Sequence, residues 1–370
     1  MTADAASRRC TAGRVRRAVA CVFVLASLSG CAVRGGRPDE VGDADLRRDA
    51  IARARVWRPT RVEAMNLRRG PGGRRSLRPE ATVDCTYVPA ELDGKTPKFI
   101  CQLASGERVK IKYGRDNGEV YAEVAATRLL WALGFGADQV YPVRVRCQGC
   151  PSLGDAGTTP AAVQVYDIAA LERRRAGTPF GDDEGWAWPE LDVVPGPGGA
   201  TVAQRDALKL LAAMLQHTDS KKDQQRIVCD GPVRRGRCGR PFMFIDDLGR
   251  TFGHANAFNR DAPSSVNLEA WAETPVWVED TGCRANLGRS ITGTLQHPVV
   301  SDEGRQMLVR LLTRLRDKQL RDLFMVARFP QRDEDVKNVD RRDVEPWVRA
   351  FRAKVTQIAN RSCGERVAAR

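Results

Sequence analysis

The chain has 370 residues, 42% of them apolar and 29% charged; this ordinary globular balance excludes a mostly disordered protein. Sixty Lys and Arg against 46 Asp and Glu give a net charge of +14, which permits acidic or phosphorylated partners. The basic residues are spread out without aromatic interleaving, so no nucleic-acid partner is expected.

The first predicted element is a targeting segment over residues 1–30. Arg14, Arg16 and Arg17 precede the apolar run from Ala18 to Leu28, which is too short to span a bilayer. Leu28-Ser29-Gly30-Cys31 then resembles a bacterial lipobox, in which Cys31 is lipidated and becomes the new N-terminus. The alternative is an ordinary secretory signal with a chance cysteine. The lipobox implies a cell-envelope protein whose partner is a membrane, reached through the lipid anchor. Ala32, where an inner-membrane lipoprotein would carry Asp, points to the outer membrane or its periplasmic face. Loss of residues 1–30 removes five Arg and one Asp, which takes the charge from +14 to +10.

Residues 31–80 are rich in Arg, Gly and Pro, with little apolar periodicity beyond Asp45–Arg55, and read as a flexible tether. From Thr82 the pattern changes. Phe99, Cys101 and Leu103 alternate, Ser105-Gly106 turns, and Val109, Ile111 and Tyr113 alternate again, which predicts a hairpin. A helix is predicted over Glu119–Leu133, closed by Gly134. Strands follow at Val140–Arg146 and Ala162–Tyr166. Residues 172–200, with Trp186 and Trp188, read as a packed loop or insertion. Thr201 is a helix cap for the apolar face of Ala207, Leu210, Leu211, Met214 and Leu215, a helix that delivers His217. Short strands at Arg226–Cys229 and Phe242–Ile245 precede a helical tail ending in Val344–Ile358.

Eight cysteines remain after Cys10 and Cys21 leave with the signal and Cys31 takes lipid. An even number in an exported chain reads as disulfides. Cys229 and Cys238 flank a turn, and Cys85 and Cys101 bracket a hairpin. Cys147-Gln148-Gly149-Cys150 has the spacing of a tight disulfide, a redox pair, or half of a zinc site completed by Cys229 and Cys238. His254 and His297 are isolated and read as structural.

The chemistry-bearing pattern runs through four segments. Val109-Lys110-Ile111-Lys112 ends a strand in lysine, and the next helix offers Glu119 and Glu123 one turn apart, with Glu123 the preferred partner of Lys112. The alternative is that these lysines and glutamates face solvent. His217-Thr218-Asp219-Ser220-Lys221-Lys222-Asp223-Gln224 puts a carboxylate, a lysine and an amide into one loop. Ile245-Asp246-Asp247-Leu248-Gly249 ends a strand in a second carboxylate. A phosphoryl-transfer site needs these parts: a cation on phosphate, a group that orients the attacking hydroxyl, and oxygen ligands for a metal.

In this order the segments resemble the protein-kinase-like superfamily over roughly residues 85–330, particularly its atypical branches: HipA-type, phosphoinositide and secretory-pathway kinases. The resemblance implies an α+β, two-lobed protein-kinase-like fold, with a small β-rich N-lobe carrying one helix and a larger, mainly helical C-lobe. It implies ATP and Mg2+ (or Mn2+) as cofactors and an unknown hydroxyl-bearing substrate. Asp219 and Lys221 would be catalytic, Lys112 and Glu123 would serve the nucleotide, and Gln224 and Asp247 would hold metal. Asp93-Gly94-Lys95-Thr96-Pro97-Lys98-Phe99 looks like a phosphate-covering loop, with Lys98 on phosphate. The chain departs from the pattern at Gln224, where kinases carry Asn, and has neither a G-x-G-x-x-G loop nor an A-P-E segment. The expected organisation is signal 1–30, tether 31–80, N-lobe 81–166, C-lobe 167–362 and tail 363–370. The alternative functions are a catalytically inactive kinase-like binding module and a disulfide-stapled structural lipoprotein.

Overall fold

The computed structural model describes residues 43–94, 96–150, 163–180, 185–193, 197–253, 265–278, 282–332 and 343–363. The targeting segment, Cys31 and His254 lie outside the described residues. The protein is mixed α and β. In chain order, α1 (Asp43–Arg53) precedes β1 (Ala81–Val88), β2 (Lys98–Leu103) and β3 (Arg108–Tyr113). Then come α2 (Glu119–Leu133), β4 (Gln139–Gln148), β5 (Val163–Arg173) and β6 (Thr178–Pro179). Next are α3 (Val202–Met214), β7 (Gln225–Cys229), β8 (Val233–Arg234), β9 (Arg237–Cys238) and β10 (Pro241–Ile245). The chain ends in helices α4 (Leu268–Glu273), α5 (Asp302–Leu312), α6 (Asp317–Val326), α7 (Phe329–Arg332) and α8 (Glu345–Ala359). Among the described residues, no helix is long and apolar enough to cross a membrane.

Strand alternation builds the β-rich part. Side chains of β3 alternate between two faces, so Val109 and Ile111 enter the strand core while Lys110 and Lys112 face the other way. Phe99, Tyr141, Val143, Val145, Tyr166 and Leu171 fill the same core. The strands run β1-β2-β3-β5-β4, and β4 returns to pair in parallel with β1, closing a five-stranded barrel. Closure removes the free edges that an open sheet would expose. Strand β5 extends to Arg173, so this part continues past the expected boundary at 166.

The outer face of β3 is not left to solvent. Helix α2 is buried at every position except Trp131, with small residues at Ala122, Ala125 and Ala126 and with Glu119, Glu123, Thr127 and Arg128 buried among its apolar ones. It covers the strand face that carries Lys112. Gly134 terminates the helix at φ 91°, and its N–H bonds the carbonyls of Leu130 and Trp131. An added Cβ there would lie 1.9 Å from the Arg58 carbonyl oxygen, so only glycine fits.

Residues 43–80 differ from the expected flexible tether. Helix α1 and the segment after it bury Ile51, Ala54, Val56, Val62 and Leu67 in the main core. Gln319 in α6 donates to the carbonyls of Val62 and Met65 at 2.8 and 2.9 Å. These contacts are long-range, so local periodicity carried no sign of them.

The helical part packs around Phe252, Trp271, Phe324, Phe329 and Trp347, whose ring centroids lie 4.6 to 6.4 Å apart in the recorded contacts. Arg328 ties it to the barrel: its guanidinium meets Glu80 at 2.6 Å and the carbonyls of Ala169 and Val143 at 3.2 and 3.3 Å. Disulfides join Cys85–Cys101, Cys147–Cys150, Cys229–Cys238 and Cys283–Cys363. The pairing of Cys147 with Cys150 and of Cys229 with Cys238 uses up the thiols that a zinc site would need.

Candidate active site

Three elements bring Lys112 to a buried carboxylate centre. Its strand presents it to α2, whose first two turns supply Glu119 and Glu123, and the residue two past the end of β10 supplies Asp247. The ammonium lies 3.0 Å from Glu119 and 3.0 Å from Asp247, and also hydrogen-bonds Glu123. Lys112 and Glu123 are each 1% exposed. The solvent-facing alternative for this lysine therefore does not describe the structure, and both helix glutamates reach it rather than Glu123 alone.

Gly249 makes the approach of Glu119 possible, because a Cβ there would come within 2.7 Å of the Glu119 side chain. Its N–H also donates to Asp247 Oδ1 at 2.9 Å and fixes that carboxylate. Thr96 donates to Glu119 Oε1 at 2.8 Å, which anchors the segment preceding β2 over the centre. Lys98 is the register partner of Lys112 across β2 and β3. Burial, followed by the Lys112 charge, lowers its pKa.

One ammonium among three carboxylates leaves surplus negative charge. Burial opposes the Lys112 ammonium, but Asp247, Glu123 and Glu119 outweigh it and hold the lysine charged. Burial would also raise Asp247, yet Lys112 and Lys110 keep it well below the ordinary carboxylate range. Glu123 is pushed up, first by burial and then by Asp247, against the pull of Lys112. The surplus charge therefore rests on Asp247, and Glu123 is the group that holds a proton more readily.

Oxygens of Glu119, Glu123 and Asp247 all lie within 4.8 Å of one another around the Lys112 ammonium, and Glu123 Oε2 is buried without a partner among the described residues. Hard cations such as Mg2+ take carboxylate oxygens of this kind.

The loop after α3 forms the other side. A capping box between Thr201 and Gln204 starts this helix. The loop itself is clamped by the segment at 290–295. Ser290 N–H donates to the Thr218 carbonyl at 2.9 Å, Thr294 N–H to the Ser220 carbonyl at 2.9 Å, and Leu295 N–H to Ser220 Oγ at 3.1 Å. Asp219 accepts from Ser290 Oγ at 3.2 Å and has Lys221 at 3.4 Å and Arg250 at 3.7 Å. Ser290 is far from the motif in sequence, and Arg250, though it directly follows Gly249, is of a common residue type, so neither was marked by the pattern.

His217 joins the two sides. It is fully buried, and neither ring nitrogen has a partner among the described residues. Burial lowers its pKa to about 4, against the opposing fields of Asp219 and Asp247. It is a neutral group in the fields of two carboxylates, with its ring centroid 6.4 Å from that of Trp188. Gln224 meets the Asp247 segment through its backbone, where its carbonyl accepts from the N–H groups of Asp246 and Asp247 at 2.8 and 3.3 Å.

Behind this centre lies a second carboxylate group, Asp138, Glu172 and Asp246, also with oxygens within 4.8 Å. Lys110 serves it from the same strand face, 2.7 Å from Glu172. Two lysines two residues apart thus each anchor one carboxylate cluster. Only the spacing of Lys110 and Lys112 hinted at this in the sequence.

No protein-family model matches the chain, and no curated protein matches it. Among solved structures, the chain is similar to the Helicobacter pylori proinflammatory kinase CtkA, with 9% identity and a TM-score of 0.41. That alignment covers 75% of this chain and 95% of the Helicobacter protein. Similarity at this level carries no weight for fold or activity, which leaves the site geometry to speak for itself.

Proposed function

We propose that the protein is a kinase-like phosphotransferase that uses ATP and Mg2+ or Mn2+ on a hydroxyl-bearing substrate, anchored at the cell envelope through Cys31. The observation that carries the reading is the contact of Lys112 with Glu119, Glu123 and Asp247, parts drawn from a strand, a helix and a strand end. In this reading the barrel with α2 is the small lobe and α3 to α8 the large one.

Each side chain then has a role set by its surroundings. Lys112, steered by Glu119 and Glu123, meets phosphate oxygens, and Lys98 covers them from β2. Asp219, steadied by Ser290, Lys221 and Arg250, orients the acceptor hydroxyl and takes its proton as the hydroxyl oxygen bonds to the γ-phosphorus and the β–γ bridging bond breaks. Lys221 stays close enough to offset charge on the transferring group. Asp247, with Glu119 and Gln224, would hold a divalent cation, which would supply charge neutralisation at phosphate oxygens. Neutral His217 adds no positive charge to the fields of Asp219 and Asp247.

A second reading, a nucleotide-binding module without transfer activity, draws on Gln224, whose side chain is one methylene longer than the Asn of kinases. Thermal unfolding with ATP and Mg2+ tests the shared part of both. A ligand at about 100 times its Kd stabilises by roughly 2.7 kcal/mol. A rise in Tm that needs both nucleotide and metal, and is absent in Asp247→Ala, is expected. The absence of any rise at millimolar ATP contradicts both readings.

A further inference from the structure

A second site lies away from the carboxylate centre, where the chain after α1 runs beside β10. Residues there are fixed by backbone pairing: Arg55 N–H donates to the Pro241 carbonyl at 3.1 Å, and Met243 N–H donates to the Arg55 carbonyl at 2.8 Å. This pairing and the turn around Asp230 enclose a cavity of about 360 Å3, lined by Arg53, Arg55, Arg58 and Arg240 together with Asp230 and Phe242. The volume is that of a small-molecule site.

The charges in this cavity do not balance. Arg53 is met by Asp49 at 2.6 Å. Asp230 is claimed twice, by Arg58 and by Arg175, which reaches it with two hydrogen bonds of 3.0 and 3.1 Å. Arg58 and Arg175 also stack on the Phe242 ring, 4.8 and 4.2 Å from its centroid. Arg240 reaches only the backbone carbonyl of Asp230, at 2.8 Å. Arg55 has no side-chain partner among the described residues. With Arg53 balanced by Asp49, one lining carboxylate stands against three lining guanidiniums, Arg55, Arg58 and Arg240, and Arg175 behind them. Burial, and then the charges of Arg55 and Arg240, lower the pKa of Arg58, and burial followed by Arg58 brings Arg175 to about 10. The arginines repel one another at a site with room for a ligand.

We propose that this cavity binds a compact polyanion carrying two or more phosphoryl groups. Guanidinium forks match phosphate oxygens in pairs, and a cavity of this size needs dense negative charge to offset several of them. Phe242 supplies an apolar floor that holds the forks flat. The anion is either a soluble diphosphate compound or the phosphorylated headgroup of a lipid. The site does not depend on the phosphotransferase reading, because Lys112 and Asp247 take no part in it.

Calorimetric titration of the full chain with inorganic pyrophosphate in EDTA tests the proposal, since without divalent metal a centre at Asp247 stays silent. Binding is expected, weakened roughly tenfold or more in Arg55→Ser/Arg240→Ser, whose side chains are exposed and carry no core packing. Asp230→Asn is expected to tighten binding, because it releases Arg58 and Arg175, and Asp247→Asn to leave it unchanged. Co-sedimentation with phosphatidylcholine vesicles containing cardiolipin, whose headgroup carries two phosphates, separates the sources. Association lost in the double arginine variant assigns a headgroup, and pyrophosphate binding without vesicle association assigns a soluble ligand. Failure to bind either probe overturns the proposal. So does binding that ignores the arginine variant or that weakens in Asp230→Asn.

Discussion

Lys112→Met removes the single ammonium from the buried centre and keeps the side chain's length. The structure sets the scale of the loss. At 3.0 Å, each of the contacts with Glu119 and Asp247 is worth roughly 5–6 kcal/mol at an effective dielectric near 20. Much of that is offset by the desolvation of the groups and by mutual repulsion of the carboxylates. Removing one partner of a buried ion pair then leaves a net loss of about 3–5 kcal/mol. The pH dependence gives the sharper signature. Without Lys112, the three carboxylates are buried together, and their folded pKa values rise above the unfolded ones. The folded variant then binds more protons than the unfolded chain between about pH 4 and 7, so its stability falls as pH rises. Urea unfolding of wild type and variant at pH 7 and pH 5 measures this. The expected deficit is about 3–5 kcal/mol at pH 7 and smaller at pH 5. A deficit below about 1 kcal/mol, or one equal at both pH values, refutes the idea that Lys112 compensates this cluster.

Three other outcomes follow from the packing. His217 binds a proton in the unfolded chain below about 6.5 but in the folded one only near 4, so stability present above pH 6.5 is lost as pH falls toward 4, by about 3 kcal/mol in all; His217→Gln should lack that part of the slope in urea titrations, and an unchanged slope contradicts the neutral state of His217. Cys363→Ser opens the Cys283–Cys363 link, which spans a sequence separation of 80, and should cost roughly 4–5 kcal/mol on the chain-entropy scale, read from the denaturation midpoint. Gly134→Ala puts a Cβ against the Arg58 carbonyl oxygen at a φ of 91° and should destabilise by more than about 1 kcal/mol, read from Tm.

Local signals in the sequence marked the elements that carry their own punctuation. Helix α2 runs over Glu119–Leu133 as its apolar content and Gly134 indicate, and α3 begins after its Thr201 cap. The alternation around Lys112 placed that lysine on the face opposite Val109 and Ile111. Hidden from the sequence was which solvent-like face would be covered: Lys110 meets Glu172 because β5 pairs with β3, and Lys112 meets the carboxylates of α2 and of Asp247, two residues past β10. Beyond Asp45–Arg55, where α1 forms, the segment 43–80 gave no periodic signal, since Val62 and Leu67 are single buried residues rather than members of a repeating face. Ser290 reaches Asp219 through the clamp of residues 290–295 on the loop, and Arg250 through the backbone contact of its carbonyl with Thr218 N–H, tertiary contacts with no motif. Glu119 was readable as one of two options, and the structure uses both because Gly249 leaves room for it.

Transfer of the γ-phosphate is the most direct test of the central claim. The full chain is incubated with γ-labelled ATP and Mg2+ or Mn2+, and release or transfer of the label is compared among wild type, Lys112→Met, Asp219→Asn and Asp247→Ala. Metal-dependent turnover is expected in wild type and its loss in all three variants, with Asp219→Asn still showing the nucleotide-dependent rise in Tm. Turnover that survives Asp247→Ala, or a wild-type chain that neither binds nor turns over ATP, would contradict that claim.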